Sequence, residues 1–163
     1  MGEWWREIGN TLREEFSDLP DAARVTRIIV RLSLAAILGG VLGFEREQKG
    51  KSAGLRTHML VALGAALFVL IPQQASVSDA DLTRVLQGLV AGVGFLGAGT
   101  IVKGSGNEEV KGLTTAAGIW LTAAIGVAAG LGREATAVLS TLLALVILAT
   151  LPRVARLFEG RGR

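Results

Sequence analysis

The sequence has no cysteine and no tyrosine, a single histidine and three prolines in 163 residues. Without cysteine there is no disulfide framework and no thiolate metal site, and one histidine cannot build a His-rich zinc centre. Charge is scarce too, at 19% against about 25% in an ordinary soluble domain. Disorder requires low hydrophobicity with high net charge, whereas this chain is 50% hydrophobic with a net charge of +3. Its excess is glycine, 22 residues, roughly twice the usual share of about 7%. With a mean hydropathy of +0.50 and a length that suits one domain, two classes remain: a buried helical protein or a membrane protein.

Segmentation decides for the membrane. Runs 57–78, 85–102, 112–132 and 135–152 contain no Asp, Glu, Lys or Arg, and 28–44 contains only Arg31. A bilayer span needs about 17–25 predominantly apolar residues, while a soluble helix would show a polar stripe every turn. The expected fold is an all-α integral membrane protein: a compact bundle of five transmembrane helices over 28–152, preceded by an amphipathic helix in 1–27 and followed by a basic cytoplasmic tail over 153–163. In the arm, Trp5, Ile8, Leu12 and Phe16 recur at steps of three and four. Together with the Trp4-Trp5 pair, that pattern suits either a bilayer interface or a helix packed on the protein's own loops. Early acids and the lack of a small-residue cleavage site argue against a cleaved signal peptide.

The ends of the runs have chemical signals. Ser78-Asp79-Ala80-Asp81 offers a side-chain cap before the third run. Gly112 closes a connector before Thr114 and Thr115, either of which could cap the fourth. Gly132-Arg133-Glu134 allows only a tight hairpin, and Pro152 is expected to stop the fifth. For orientation, Arg46, Lys49, Lys51, Arg56, Lys103, Lys111, Arg153, Arg156, Arg161 and Arg163 give ten basic residues on one side. Arg84 and Arg133 with Arg6, Arg13, Arg24, Arg27 and Arg31 give seven on the other. The larger count places the C-terminus in the cytoplasm and the N-terminus outside.

Two motifs tempt and fail. Gly92-Val93-Gly94-Phe95-Leu96-Gly97 has dinucleotide-loop spacing but lacks the preceding strand and the following acid. Gly50-Lys51-Ser52 imitates the end of a phosphate loop, yet position 45, where its first glycine belongs, is Glu45. Packing explains the glycines better: Gly39 and Gly43, Gly88 and Gly92, and Gly126 and Gly130 stand four apart, a spacing that lets helices approach closely. Gly92, Gly94, Gly97 and Gly99 are too dense for one face, which suggests a third span packed on all sides or, less favoured, a broken helix. Ionisable groups inside spans are functional candidates, and Arg31 is the clear one, either buried or snorkelling to the interface. No acid lies mid-span, so a carboxylate proton relay lacks its main component. Glu45-Arg46-Glu47 and Gly54-Leu55-Arg56-Thr57-His58 could be an interfacial anchor or a site. His58 lacks the partners of a hydrolase triad. Gln87, Thr114, Thr115 and Trp120 are the other polar or amphipathic groups entering spans.

Glu45-Arg46-Glu47, the segment from Ala53 to His58, the run from Gly92 to Gly99 and the segment from Gly112 to Trp120 together resemble the MgtC/SapB membrane family in order and spacing. The resemblance covers roughly residues 28–151, with Arg31-Leu32 and Gly39-Gly40 fitting as well. It implies a bacterial inner-membrane protein with five spans and an external N-terminus, associated with magnesium homeostasis and, in some members, with survival inside host cells. Many members carry a C-terminal ACT-like domain, which this chain is expected to lack. The resemblance also implies a site around Glu45, Arg46, Arg56 and Thr57, with Gln87, Thr114 and Thr115 nearby and Arg31 and Glu47 as further members. A helix N-terminus at Thr114-Thr115 favours an anion. Bare magnesium prefers carboxylates in near-octahedral geometry, and neither Glu45 and Glu47 nor Glu108 and Glu109 make a cage.

The expected function is a non-enzymatic membrane protein of ion homeostasis that regulates another membrane complex, a homo-oligomer and by preference a dimer. The alternative is a transporter or channel for a small solute, possibly magnesium. The bilayer is the expected partner, nucleic acid is not, and no cofactor is implied.

Overall fold

A computed structural model describes residues 2–15, 17, 21–103 and 110–159, with side chains omitted at 102, 103 and 152–159. Phe16, Glu108, Glu109, Arg161 and Arg163 therefore lie outside the described residues. The chain is helical almost throughout: α1 (Gly2–Glu15), α2 (Ala22–Gln48), α3 (Leu55–Gln74), α4 (Asp79–Ala98), α5 (Leu113–Gly130) and α6 (Glu134–Glu159). A two-stranded antiparallel hairpin, β1 (Val102–Lys103) with β2 (Val110–Lys111), separates α4 from α5. Among the described residues, four helices are long and apolar enough to cross a membrane: Ala22–Gln48, Leu55–Gln74, Leu113–Gly130 and the Glu134–Leu151 part of α6. The expected third span differs. Asp79, Asp81 and Arg84 occupy the start of α4, and the helix ends at Ala98. Its apolar part, 85–98, is about 21 Å long at 1.5 Å per residue, short of a hydrocarbon core of about 30 Å.

Two compact units divide the chain, Met1–Val30 and Arg31–Arg163. In the first, α1 has no buried residue, and the exposed Trp4 and Trp5 rings stand edge to face with centroids 6.1 Å apart. The second holds the core, which is made of small residues. Ala35, Leu38 and Leu42 of α2 meet Ala62 and Ala66 of α3, Ile125 and Ala129 of α5, and Ala137 and Ala144 of α6. A second cluster joins Ala65 of α3, Val93 of α4 and Ile119 and Ala123 of α5. Small side chains bring backbones together, so that van der Waals contact holds a bundle that lipid cannot drive together hydrophobically.

The expected signals at the helix ends fared unevenly. Ser78 does cap α4: its Oγ accepts the Asp81 N–H at 3.2 Å and donates to Asp81 Oδ2 at 2.6 Å. Neither Thr114 nor Thr115 caps α5, which begins one residue earlier, at Leu113. The cap position is Gly112 with φ +96°, and a Cβ there would run into the Thr100 carbonyl. Pro152 does not stop α6, which continues to Glu159. A proline removes one N–H and strains one turn, at about 3 kcal/mol, and α3 likewise contains Pro72.

Candidate functional site

The site grows from the face of α2 that turns inward. Ala35, Leu38, Gly39, Leu42, Gly43 and Arg46 are all buried, and their steps of three and four describe one helical stripe. Arg46 continues the packing stripe, and the guanidinium goes in with it. On α3 the buried stripe is His58, Ala62, Ala65, Ala66 and Val69. Glycine lets the two stripes touch: a Cβ at Gly39 would lie 2.5 Å from the His58 carbonyl oxygen, and one at Gly43 would lie 2.7 Å from Leu55 Cα. Backbone contact at this level places Arg46 beside His58.

The turn into α3 is fixed by Glu47, whose Oε2 accepts the Leu55 N–H at 2.8 Å, placing a carboxylate at the positive end of the helix. A Cβ at Gly54 would meet that same oxygen at 2.5 Å, so a larger residue there would displace the Glu47 carboxylate from the cap. The Gly54 carbonyl accepts from His58 Nδ1 at 3.0 Å. A carbonyl can only accept, so Nδ1 carries the proton, and the neutral ring leaves Nε2 as an acceptor.

Arg46 is 4% exposed and His58 1%. The one charge partner of Arg46 among the described residues is Glu45, with Nη1 3.6 Å from Oε2. Arg46 Nε and Nη2, His58 Nε2 and both Glu45 oxygens are buried with no hydrogen-bond partner among the described residues. Arg46 and His58 both line a cavity of about 160 Å³, closed by Leu42 of α2, Thr114, Gly118 and Leu121 of α5, and Ala144, Ile147 and Leu148 of α6. The first-turn amides of α5 lack intrahelical partners by geometry, and Thr114 brings that turn to the cavity wall.

Arg31 forms a second polar centre. Its Nη1 donates to Gln73 Oε1 at 2.7 Å and to the Gly130 carbonyl at 3.1 Å, while Nε stands 3.9 Å from Glu134 Oε1. Gly130 ends α5, so Arg31 satisfies one of the orphaned carbonyls at the negative end of that helix. With 21% of its side chain exposed, it bridges α3, α5 and α6.

Of the residues singled out from sequence, the structure brings Arg46 and Thr114 to one cavity, pairs Glu45 with Arg46 and uses Glu47 to cap α3. Arg56 is exposed, Thr57 half-buried and Thr115 buried within α5, and none of the three lines the cavity. Gln87 is exposed on α4, away from the cavity. His58 and Gly118 were missed, as were Gln73 and Glu134 around Arg31. The signal for His58 was its register, one turn ahead of the alanine stripe. Among the glycines, Gly39, Gly43, Gly126 and Gly130 face backbone or side chains of α3 at close range. Gly97 meets Ala116 at 3.6 Å, and Gly99 faces carbonyls of its own helix. Gly88, Gly92 and Gly94 meet nothing within 4 Å among the described residues, so α4 is not packed on all sides within one chain. No group of three His, Cys, Asp or Glu among the described residues could hold a metal ion.

A model of the MgtC family matches residues 32–157. Protein SrpB of Synechococcus elongatus is 44% identical over 138 residues, 78% of this chain and 76% of SrpB. YhiD of Escherichia coli, whose name refers to magnesium transport, is 42% identical over 127 residues, 74% of this chain and 58% of YhiD. Protein MgtC of Brucella abortus is 44% identical over 128 residues, 78% of this chain and 52% of that protein. The chain thus spans three quarters of SrpB but little more than half of the other two. No solved structure matches.

Proposed function

The chain belongs to the MgtC family, and on that premise we propose that it is a non-enzymatic, multi-pass protein of the bacterial inner membrane that serves magnesium homeostasis by regulating another membrane complex. The observation that carries regulation over transport is the closure of the bundle between its two polar centres. A Cβ at Gly126 would strike the Ala62 carbonyl, and one at Gly130 would lie 2.5 Å from the Ala66 carbonyl. A solute crossing between α3 and α5 would have to part backbones that touch. The test is flux: purified protein in liposomes should move no magnesium or other small ion at a saturable rate, and such a rate would overturn the reading. A second reading, a transporter or channel for a small solute, draws on the name of YhiD and on the Arg46 cavity. Under it, Arg46→Ala and Arg56→Ala abolish flux while the protein still folds.

In the membrane, α4 serves as a fifth, short span around which the bilayer thins, α1 lies along the interface, and the N-terminus is outside. Single cysteines replacing the exposed Ser52 and Ser76 distinguish the faces: an impermeant thiol reagent added outside should label position 76 and spare position 52. The assembly is a homodimer. Its contact is the open groove of about 660 Å³ between α3 and α4, which includes Gly64, Gly88 and Gly92.

A further inference from the structure

The cavity at the Arg46 end, of about 160 Å³, has a mainly apolar surface, and the buried polar atoms of its lining residues define what it would hold. Arg46 spends Nη1 on Glu45. Its remaining nitrogens, Nε and Nη2, form the side-on edge of the guanidinium, the edge that takes two oxygens of one oxyanion. That edge is buried and has no partner among the described residues. His58 Nε2, also buried and unpartnered, accepts a hydrogen bond in the neutral ring, because Nδ1 donates to Gly54. The first turn of α5, with Thr114 in the wall, adds amide donors and the positive end of a helix dipole.

From this geometry we propose that the cavity binds a small oxyanion that retains one hydroxyl, with two oxygens on the Nε–Nη2 edge of Arg46 and its O–H donated to His58 Nε2. Glu45 sets the charge. Its carboxylate lies on the Nη1 side, 3.6 Å away, and offsets the guanidinium, so the wall favours a singly charged anion over a doubly charged one. Dihydrogen phosphate as the free ion, and the monoprotonated phosphomonoester headgroup of a lipid whose chain follows Leu121 and Leu148, are both singly charged and keep a hydroxyl to donate. Sulfate meets neither the hydroxyl nor the charge requirement. The inference holds whether the protein regulates or transports, since it concerns binding at equilibrium.

Isothermal titration calorimetry of the full chain in detergent, with inorganic phosphate and sulfate as probes, tests it. Phosphate should bind once per chain and at least tenfold tighter than sulfate. Arg46→Lys, which keeps the charge but loses the two-pronged edge, should weaken phosphate at least tenfold. Gly118→Ala guards against a folding artefact: its Cβ would sit 3.6 Å from His58 Nε2, an ordinary contact, so it should leave the melting temperature unchanged and still cut affinity at least tenfold. In nanodiscs, loss of phosphate binding with phosphatidic acid but not with phosphatidylglycerol, a diester without the hydroxyl, identifies the lipid headgroup as the occupant. Equal phosphate binding in both identifies the soluble ion. Equal affinity for phosphate and sulfate overturns the proposal, as does full affinity in Gly118→Ala or binding of neither phosphate nor phosphatidic acid.

Discussion

The two ends of the bundle each hold an arginine drawn inward, and they treat it in opposite ways. At one end Arg31 has an amide, a helix-terminal carbonyl and a carboxylate around it. At the other, Arg46 is more deeply buried yet has a single loose ion pair, with two nitrogens unpartnered among the described residues. Burying a charge is costly unless it is paired and hydrogen-bonded. Arg31 meets that condition within the fold and so reads as a structural tie. Arg46 does not, and it lines one cavity with His58, whose Nε2 is likewise buried and without a partner among the described residues. The same residue type thus joins helices at one end and equips a site at the other.

Substitutions can break or sharpen this contrast. The largest effect is expected at the tied end: Arg31→Met orphans the Gly130 carbonyl and Gln73 and should lower unfolding stability by about 2–3 kcal/mol, leaving phosphate affinity unchanged. Reversible unfolding in mixed micelles measures the first and calorimetry the second. Next comes Gly126→Ala, which pushes a methyl into the α3 backbone and should cost about 2 kcal/mol. Gly88→Ala on the open face should instead be neutral or gain up to about 1 kcal/mol from helix propensity. Gly88→Leu should disperse the dimer on cross-linking without lowering monomer stability. Glu47→Gln weakens the cap on Leu55 by about 0.5 kcal/mol. The smallest effect is expected where the charge is most buried: Arg46→Met with Glu45→Gln should change stability by less than about 1 kcal/mol while abolishing oxyanion binding. A large loss of stability there would make Arg46 a second structural tie and erase the distinction.

Much of this was legible in the residues. Apolar runs, three of them uncharged and one carrying only Arg31, marked the four helices able to span, and the Ser78-Asp81 cap and the tight turn at Gly132 follow from local chemistry. At α4 the apolar run outlasts the helix, because 99–102 is as apolar as a helix yet turns and enters a strand. Pro152 was overread because a proline costs one hydrogen bond and a local strain, which need not end a helix. At the site, charge density drew notice to Glu45-Arg46-Glu47 without separating three neighbours that point in three directions. Register separates them: Arg46 follows Leu42 by four and Gly39 by seven, on the face of α2 that packs against α3. His58 was set aside for want of a nucleophile and an acid, although its partner is a backbone carbonyl, which no side-chain pattern reveals. The pairing of Arg31 with Gln73 and Glu134 joins three helices and has no local signature.

The tie at Arg31 also has a mechanical consequence. It fastens α6 at Glu134, beside Gly132 with its φ of +75°, whereas Leu148, farther along the same helix, forms part of the cavity wall. Between them lies about 21 Å of helix, with Leu139, Leu142, Leu143 and Val146 facing outward. A rigid helix held at one polar centre carries any tilt to the other. A tilt of about 5° moves that end by about 2 Å over this length, enough to alter the girth of a cavity that admits only a few waters.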